Sequence, residues 1–111
     1  MRYVTFGEGG GPEVLGITTG PTPEIGPREV LIQTHFAGVN RPDILQRAGK
    51  YPPPAGASPI LGLEVSGQVV ALGADVTSWK IGDLVCALTP GGGYAEYCRT
   101  NADHCLALPK G

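Results

Sequence analysis

Hydrophobic and polar positions alternate in short runs along this chain, and glycine or proline separates one run from the next. From Glu29 to Val39, Val30, Ile32, Thr34 and Phe36 alternate with Leu31, Gln33, His35 and Ala37, the period of two expected of a strand with one face on a core. Tyr3–Phe6, Val14–Thr19, Glu64–Leu72, Leu84–Leu88, Tyr94–Arg99 and Cys105–Leu108 read as further strands. Gly67, inside one of them, signals a bulge or a close backbone approach. Arg41–Ala48 alone predicts a short helix, with Pro42 in its first turn and Asp43 beside the positive end of its dipole. Gly49 is placed to close that helix in a left-handed cap. Gly20–Pro27 and Tyr51–Pro59 are too rich in proline for ladder hydrogen bonds and read as loops.

The strand and the helix meet at Ala37–Asp43, AGVNRPD. Asn40, Arg41, Pro42 and Asp43 end an apolar strand on polar or rigid residues. Such a group is either an ordinary corner with Asn40 as helix cap, or a place where side chains meet a ligand. Spacing leaves both open.

Composition refines the picture without changing it. The chain has 111 residues, room for one domain with a modest core. Glycine and proline take 18 and 11 positions, which would suggest disorder in a polar chain. Here 41% of residues are hydrophobic, so they read as turns between strands. The net charge of −2 and the lack of a basic run give no reason to expect a nucleic-acid or anionic-membrane partner. No apolar run approaches the roughly 20 residues that span a bilayer, and the first residues lack a secretory core. Three cysteines without a CxxC spacing favour reduced thiols and a cytoplasmic location.

Candidate chemistry is sparse. Gly7–Gly11 and Gly91–Gly93 resemble phosphate cradles, but each runs into a strand-like segment rather than a helix, so both are expected to be turns. His35, His104, Cys86, Cys98 and Cys105 lack zinc-site spacing. His35 and Cys86 read as core or half-buried positions, and His104 and Cys105 point to opposite faces if extended. No GxSxG, and no cysteine beside a plausible base, marks a nucleophile.

The run AGVNRPDILQRAGKYPPP, followed by PILGLEVSGQVVALGADVTSWKIGDLVCAL and GGGYAEY, resembles the N-terminal catalytic domain of medium-chain dehydrogenase/reductases. Within that superfamily it is similar to the zinc-independent quinone oxidoreductases, the zeta-crystallin-like branch. The resemblance covers essentially all of residues 1–111. It implies a mostly β, GroES-like, partly open barrel with one or two short helices, forming a single catalytic domain. The cofactor-binding Rossmann domain that follows in full-length members is absent from this chain, so residues 1–111 alone are expected to be inactive.

The resemblance also implies a reaction, the transfer of hydride from NADPH to a quinone. Zinc-dependent relatives have cysteine where this chain has Asn40, and histidine where it has Leu63, in Gly62-Leu63-Glu64. Neither an amide nor an aliphatic group replaces those ligands, and the four-cysteine lobe of that branch has no counterpart here, so no zinc is expected. Asn40 and Tyr51 are the implied catalytic and cofactor-binding residues: Asn40 through its amide, Tyr51 through its hydroxyl or by stacking. Their plain alternatives are a helix cap and an amphipathic loop anchor. Arg41 and Asp43 also match the motif, though an Arg–Asp pair fixing the corner explains them equally well. Glu64 reads as structural, and Trp79 and Lys80 as a turn over the barrel. Reduction of a 2-alkenal or enoyl substrate is a related alternative, and a co-chaperonin-like binding module is one from another class. A homodimer is expected of the full-length protein.

Overall fold

In a computed structural model, residues 1–50 and 55–109 are described. Among these residues seven strands form two sheets: β1 (Arg2–Thr5), β2 (Gly16–Thr19), β3 (Glu29–Ala37), β4 (Glu64–Leu72), β5 (Leu84–Leu88), β6 (Tyr97–Asn101) and β7 (Cys105–Ala107). One helix, α1 (Arg41–Arg47), follows β3. β1 and β2 make an antiparallel pair, and the larger sheet runs β6-β3-β4-β5-β7, antiparallel throughout. The mostly β architecture is as the sequence predicts, and it is an open sheet rather than a closed barrel.

The core lies on one face of that sheet. Val30, Ile32, Val65, Val69, Val85, Ala87, Cys98, Ala102 and Cys105 are buried together. Register brings them there, because Ile32 pairs with Val69 on one side and Cys98 on the other, and Val65 pairs with Ala87. Trp79 packs against this cluster and donates its indole N–H to the Ala102 carbonyl at 2.9 Å, while Lys80 stays exposed. Among the described residues no helix is long and apolar enough to cross a membrane.

Several boundaries differ from the pattern-based reading. Pro12–Val14 is a 3-10 turn, so the second strand starts only at Gly16. Tyr94–Glu96 precedes β6 rather than belonging to it. The Val4 N–H donates to the Tyr94 carbonyl and the Glu96 N–H to the Arg2 carbonyl, so this segment holds the β1 hairpin instead. His35, read as a core or half-buried position, is exposed. The register with β4 shifts between Thr34 and Phe36, leaving His35 without a partner. β6 reaches only as far as Gln33, so the end of β3 has one neighbour and Phe36 lies 77% exposed. Opposite the shift, a Cβ on Gly67 would overlap the Gln33 carbonyl oxygen. The glycine marks a close approach, and the irregularity falls on its partner strand.

Candidate functional site

Past Ala37 the chain leaves the sheet, held by one bond from the Gly38 N–H to the Glu64 carbonyl at 2.9 Å. Val39 is 76% exposed, so its side chain does not orient the turn. The orientation comes from Asp43. Its Oδ2 accepts the Asn40 N–H at 2.9 Å, one half of a capping box at the start of α1. The other half is only a loose approach, because the Asp43 N–H donates to the Asn40 carbonyl at 3.0 Å. No cap hydrogen bond occupies the Asn40 amide, which sits half-buried at the corner.

Asp43 is 3% exposed. A carboxylate so deeply buried needs partners, and besides Asn40 it accepts the Tyr94 hydroxyl at 2.8 Å. That hydroxyl also lies 3.4 Å from the Gly38 carbonyl, but it has one proton and the carboxylate is the nearer, charged acceptor. Burial first, then the bond to Asp43, raises the Tyr94 phenol well above the ordinary tyrosine value, so it is a donor at all working pH and not a base. Asp43 Oδ1 and Thr34 Oγ1 are buried without a hydrogen-bond partner among the described residues. The expected Arg41–Asp43 pair is not formed. Arg41 is exposed, and Asp43 is held by Tyr94 instead.

Tyr94 reaches Asp43 because a glycine turn delivers it there. Gly92, Gly93 and Tyr94 donate their N–H groups to Ile60, Gly62 and Leu61 at 2.8, 3.0 and 2.8 Å. The two segments cross so closely that a Cβ on Gly62, at φ +105°, would come 2.7 Å from Gly93 Cα. On the far side of α1, Gln46 is buried and donates to the Pro59 carbonyl at 3.1 Å. Gly10 and Arg47 exchange bonds of 2.8 and 3.1 Å, so the Gly7–Gly11 run docks on the end of the helix. Gly49 closes α1 at φ +81°, the conformation read from the sequence.

Among the described residues, of the other candidates only Glu64 reaches the corner. Tyr51 lies outside the described residues. Leu63 is half-buried, and Glu64 is exposed, its carboxyl group lying against Gly38. His35 and His104 are exposed, Cys86 is half-buried, and Cys98 and Cys105 are buried free thiols. Among the described residues no three His, Cys, Asp or Glu side chains gather as metal ligands would. A separate cleft of about 690 Å³ lies between the β1 hairpin, the Gly56–Ile60 loop and β6, and neither Asn40 nor Asp43 lines it. Its Thr89 and Thr100 hydroxyls donate to the backbone carbonyls of Gly91 and Leu88. Sequence reasoning missed Tyr94 as a site residue. Its one local signal was the position directly after Gly91–Gly93.

Comparison with known proteins adds the following. The alcohol dehydrogenase GroES-like domain family matches residues 26–110. A quinone oxidoreductase of Pseudomonas aeruginosa is 39% identical over 111 residues, 99% of this chain and 34% of the relative. The crystal structure of an Escherichia coli quinone oxidoreductase complexed with NADPH superposes with a TM-score of 0.87 at 31% identity, covering 98% of this chain and 33% of that one. The CurK enoyl reductase superposes with a TM-score of 0.85 at 25% identity, covering 98% and 35%. The chain thus spans about a third of the length of the relatives it matches.

Proposed function

The chain belongs to the alcohol dehydrogenase GroES-like domain family, and on that premise we propose that it is the catalytic domain of a zinc-independent, NADPH-dependent quinone oxidoreductase. The observation that carries this reading is the corner itself. It presents the Asn40 amide, which approaches the helix start without a cap hydrogen bond, on a backbone fixed by a buried carboxylate. By the family resemblance, an amide and an aliphatic group, Asn40 and Leu63, stand where zinc-dependent relatives carry a cysteine and a histidine.

The corner suits a neutral ring that forms hydrogen bonds. It does not suit a phosphate, since Asp43 places negative charge at the start of a seven-residue helix. When bound, NADPH supplies the hydride. Asn40, together with Tyr51 as the resemblance implies, would hold its nicotinamide ring or the acceptor. Asn40 would donate toward the acceptor oxygen, from a backbone that Pro42 and the Asp43 bond hold in place. A quinone asks little of such a donor, because its reduction yields an aromatic ring, so one neutral amide is adequate without a Lewis acid. An activated C=C asks for the same donor, and the likeness to an enoyl reductase supports an enone as the second reading.

The test is a chimera in which residues 1–111 replace the matching third of the Pseudomonas aeruginosa enzyme. It should oxidise NADPH with a 1,4-quinone. Asn40→Ala should lower kcat/KM by on the order of 100-fold while moving the melting temperature little, because no cap hydrogen bond is lost. Tyr51→Phe separates a hydroxyl donor, whose loss lowers kcat/KM, from a stacking ring, which the variant keeps. A chimera that folds and prefers an enone points to the second reading. Asn40→Ala that costs about 1 kcal/mol of stability and leaves turnover intact makes Asn40 a cap.

A further inference from the structure

We propose that Asp43 and Tyr94 are positioning residues for Asn40, the phenol reaching from the glycine turn to fix the corner at which the reacting ring is held. The inference rests on the reading of Asn40 given above and deepens it. Between Gly38 and α1, the Asn40 peptide has one anchor for its N–H, the Asp43 carboxylate at 2.9 Å. That carboxylate is anchored in turn by a residue 51 positions further on, at 2.8 Å. Tyr94 is itself held on both sides, donating its N–H to the Leu61 carbonyl and accepting the Val4 N–H, each at 2.8 Å. A continuous path of hydrogen bonds therefore runs from β1 through Tyr94 and Asp43 to Asn40.

A role in stability alone explains this poorly. Burying a carboxylate is costly, and Asp43 uses both of its side-chain bonds on Oδ2 while Oδ1 has no partner among the described residues. An apolar residue at 43 would fill the space without that cost. What it would not do is grip the Asn40 N–H and the Tyr94 hydroxyl on a single oxygen, and that grip fixes the backbone from which the Asn40 side chain projects.

The isosteric change Tyr94→Phe removes the hydroxyl and keeps the ring. Melting temperature does not decide the matter, since loss of any buried hydrogen bond lowers it. Two other readouts do. In residues 1–111, exchange of the Asn40 backbone N–H followed by NMR should accelerate about tenfold, the factor expected for one ordinary hydrogen bond. In the chimera, kcat should fall about tenfold with KM nearly unchanged, because orientation in the transition state is lost rather than ground-state binding. Asp43→Asn, which keeps an oxygen for both donors, should bring exchange and kcat back to within about threefold of native, whereas Asp43→Ala should not. Native Asn40 exchange and native kcat in Tyr94→Phe overturn the proposal, as does an Asp43→Asn variant no better than Asp43→Ala. A chimera inactive with all native residues overturns the quinone reading separately. Exchange then decides positioning by itself, acceleration supporting it and native exchange refuting it.

Discussion

Cys98 sits on β6 in the centre of the core, 1% exposed, and its chemistry is set by that burial. Removal from water disfavours the thiolate, pushing the thiol up to about 11 from an ordinary 9.0, even though Thr89 and Arg99 pull the other way. The sign for stability follows. Between pH 9 and 11 the unfolded chain has lost this proton and the folded chain has kept it, so stability falls as pH rises. The slope is about 1.4 kcal/mol per pH unit for a single thiol. Urea melts should therefore find Cys98→Ala less costly at pH 10 than at pH 8, by about 1 kcal/mol. An equal cost at both values means that Cys98 ionises in the folded core. At the same scale, the polarity of Asn40 and its place after a strand were plain in the sequence. Its partner Tyr94 was not, since a contact across 51 positions leaves no trace in local spacing.

At the scale of elements, α1 shows how little a short segment decides for itself. Seven residues form too few turns to be stable alone. What holds α1 is docking: Tyr94 on Asp43, Gly10 on Arg47 and the Pro59 carbonyl on Gln46. Gln46→Ala should leave that carbonyl without its donor and open a small cavity, destabilising the fold by about 2 kcal/mol in chemical denaturation. A cost below about 0.5 kcal/mol would mean that water replaces the glutamine, as at an exposed site. The helix boundaries were legible from Pro42, Asp43 and Gly49 because capping and dipole effects are local. The strand boundaries near Tyr94 were not, because apolar alternation does not say which neighbour a strand will pair with.

At the scale of the whole molecule, the described residues present no phosphate cradle. Gly7–Gly11 docks on the end of α1 and Gly91–Gly93 crosses residues 60–62, so the N–H groups of Gly9, Gly10, Gly92 and Gly93 are engaged within the fold. The only α-helix among the described residues starts with a buried aspartate. Residues 1–111 alone should therefore bind NADPH with a Kd above about 100 μM by calorimetry, since the diphosphate finds no helix N-terminus. Micromolar binding would show that these glycine turns hold phosphate after all.

Period-two alternation, the Gly/Pro breaks and the capping residues at Arg41–Ala48 determined by themselves that the chain is mostly β with one short helix after its longest strand. Those signals are local, and water reads them residue by residue. Tertiary structure alone decided that His35 is exposed, that Gly67 answers to Gln33, and that Asp43 answers to Tyr94 rather than to Arg41. Each of these depends on register or on a crossing between distant segments, where a shift of one residue changes which side chains meet.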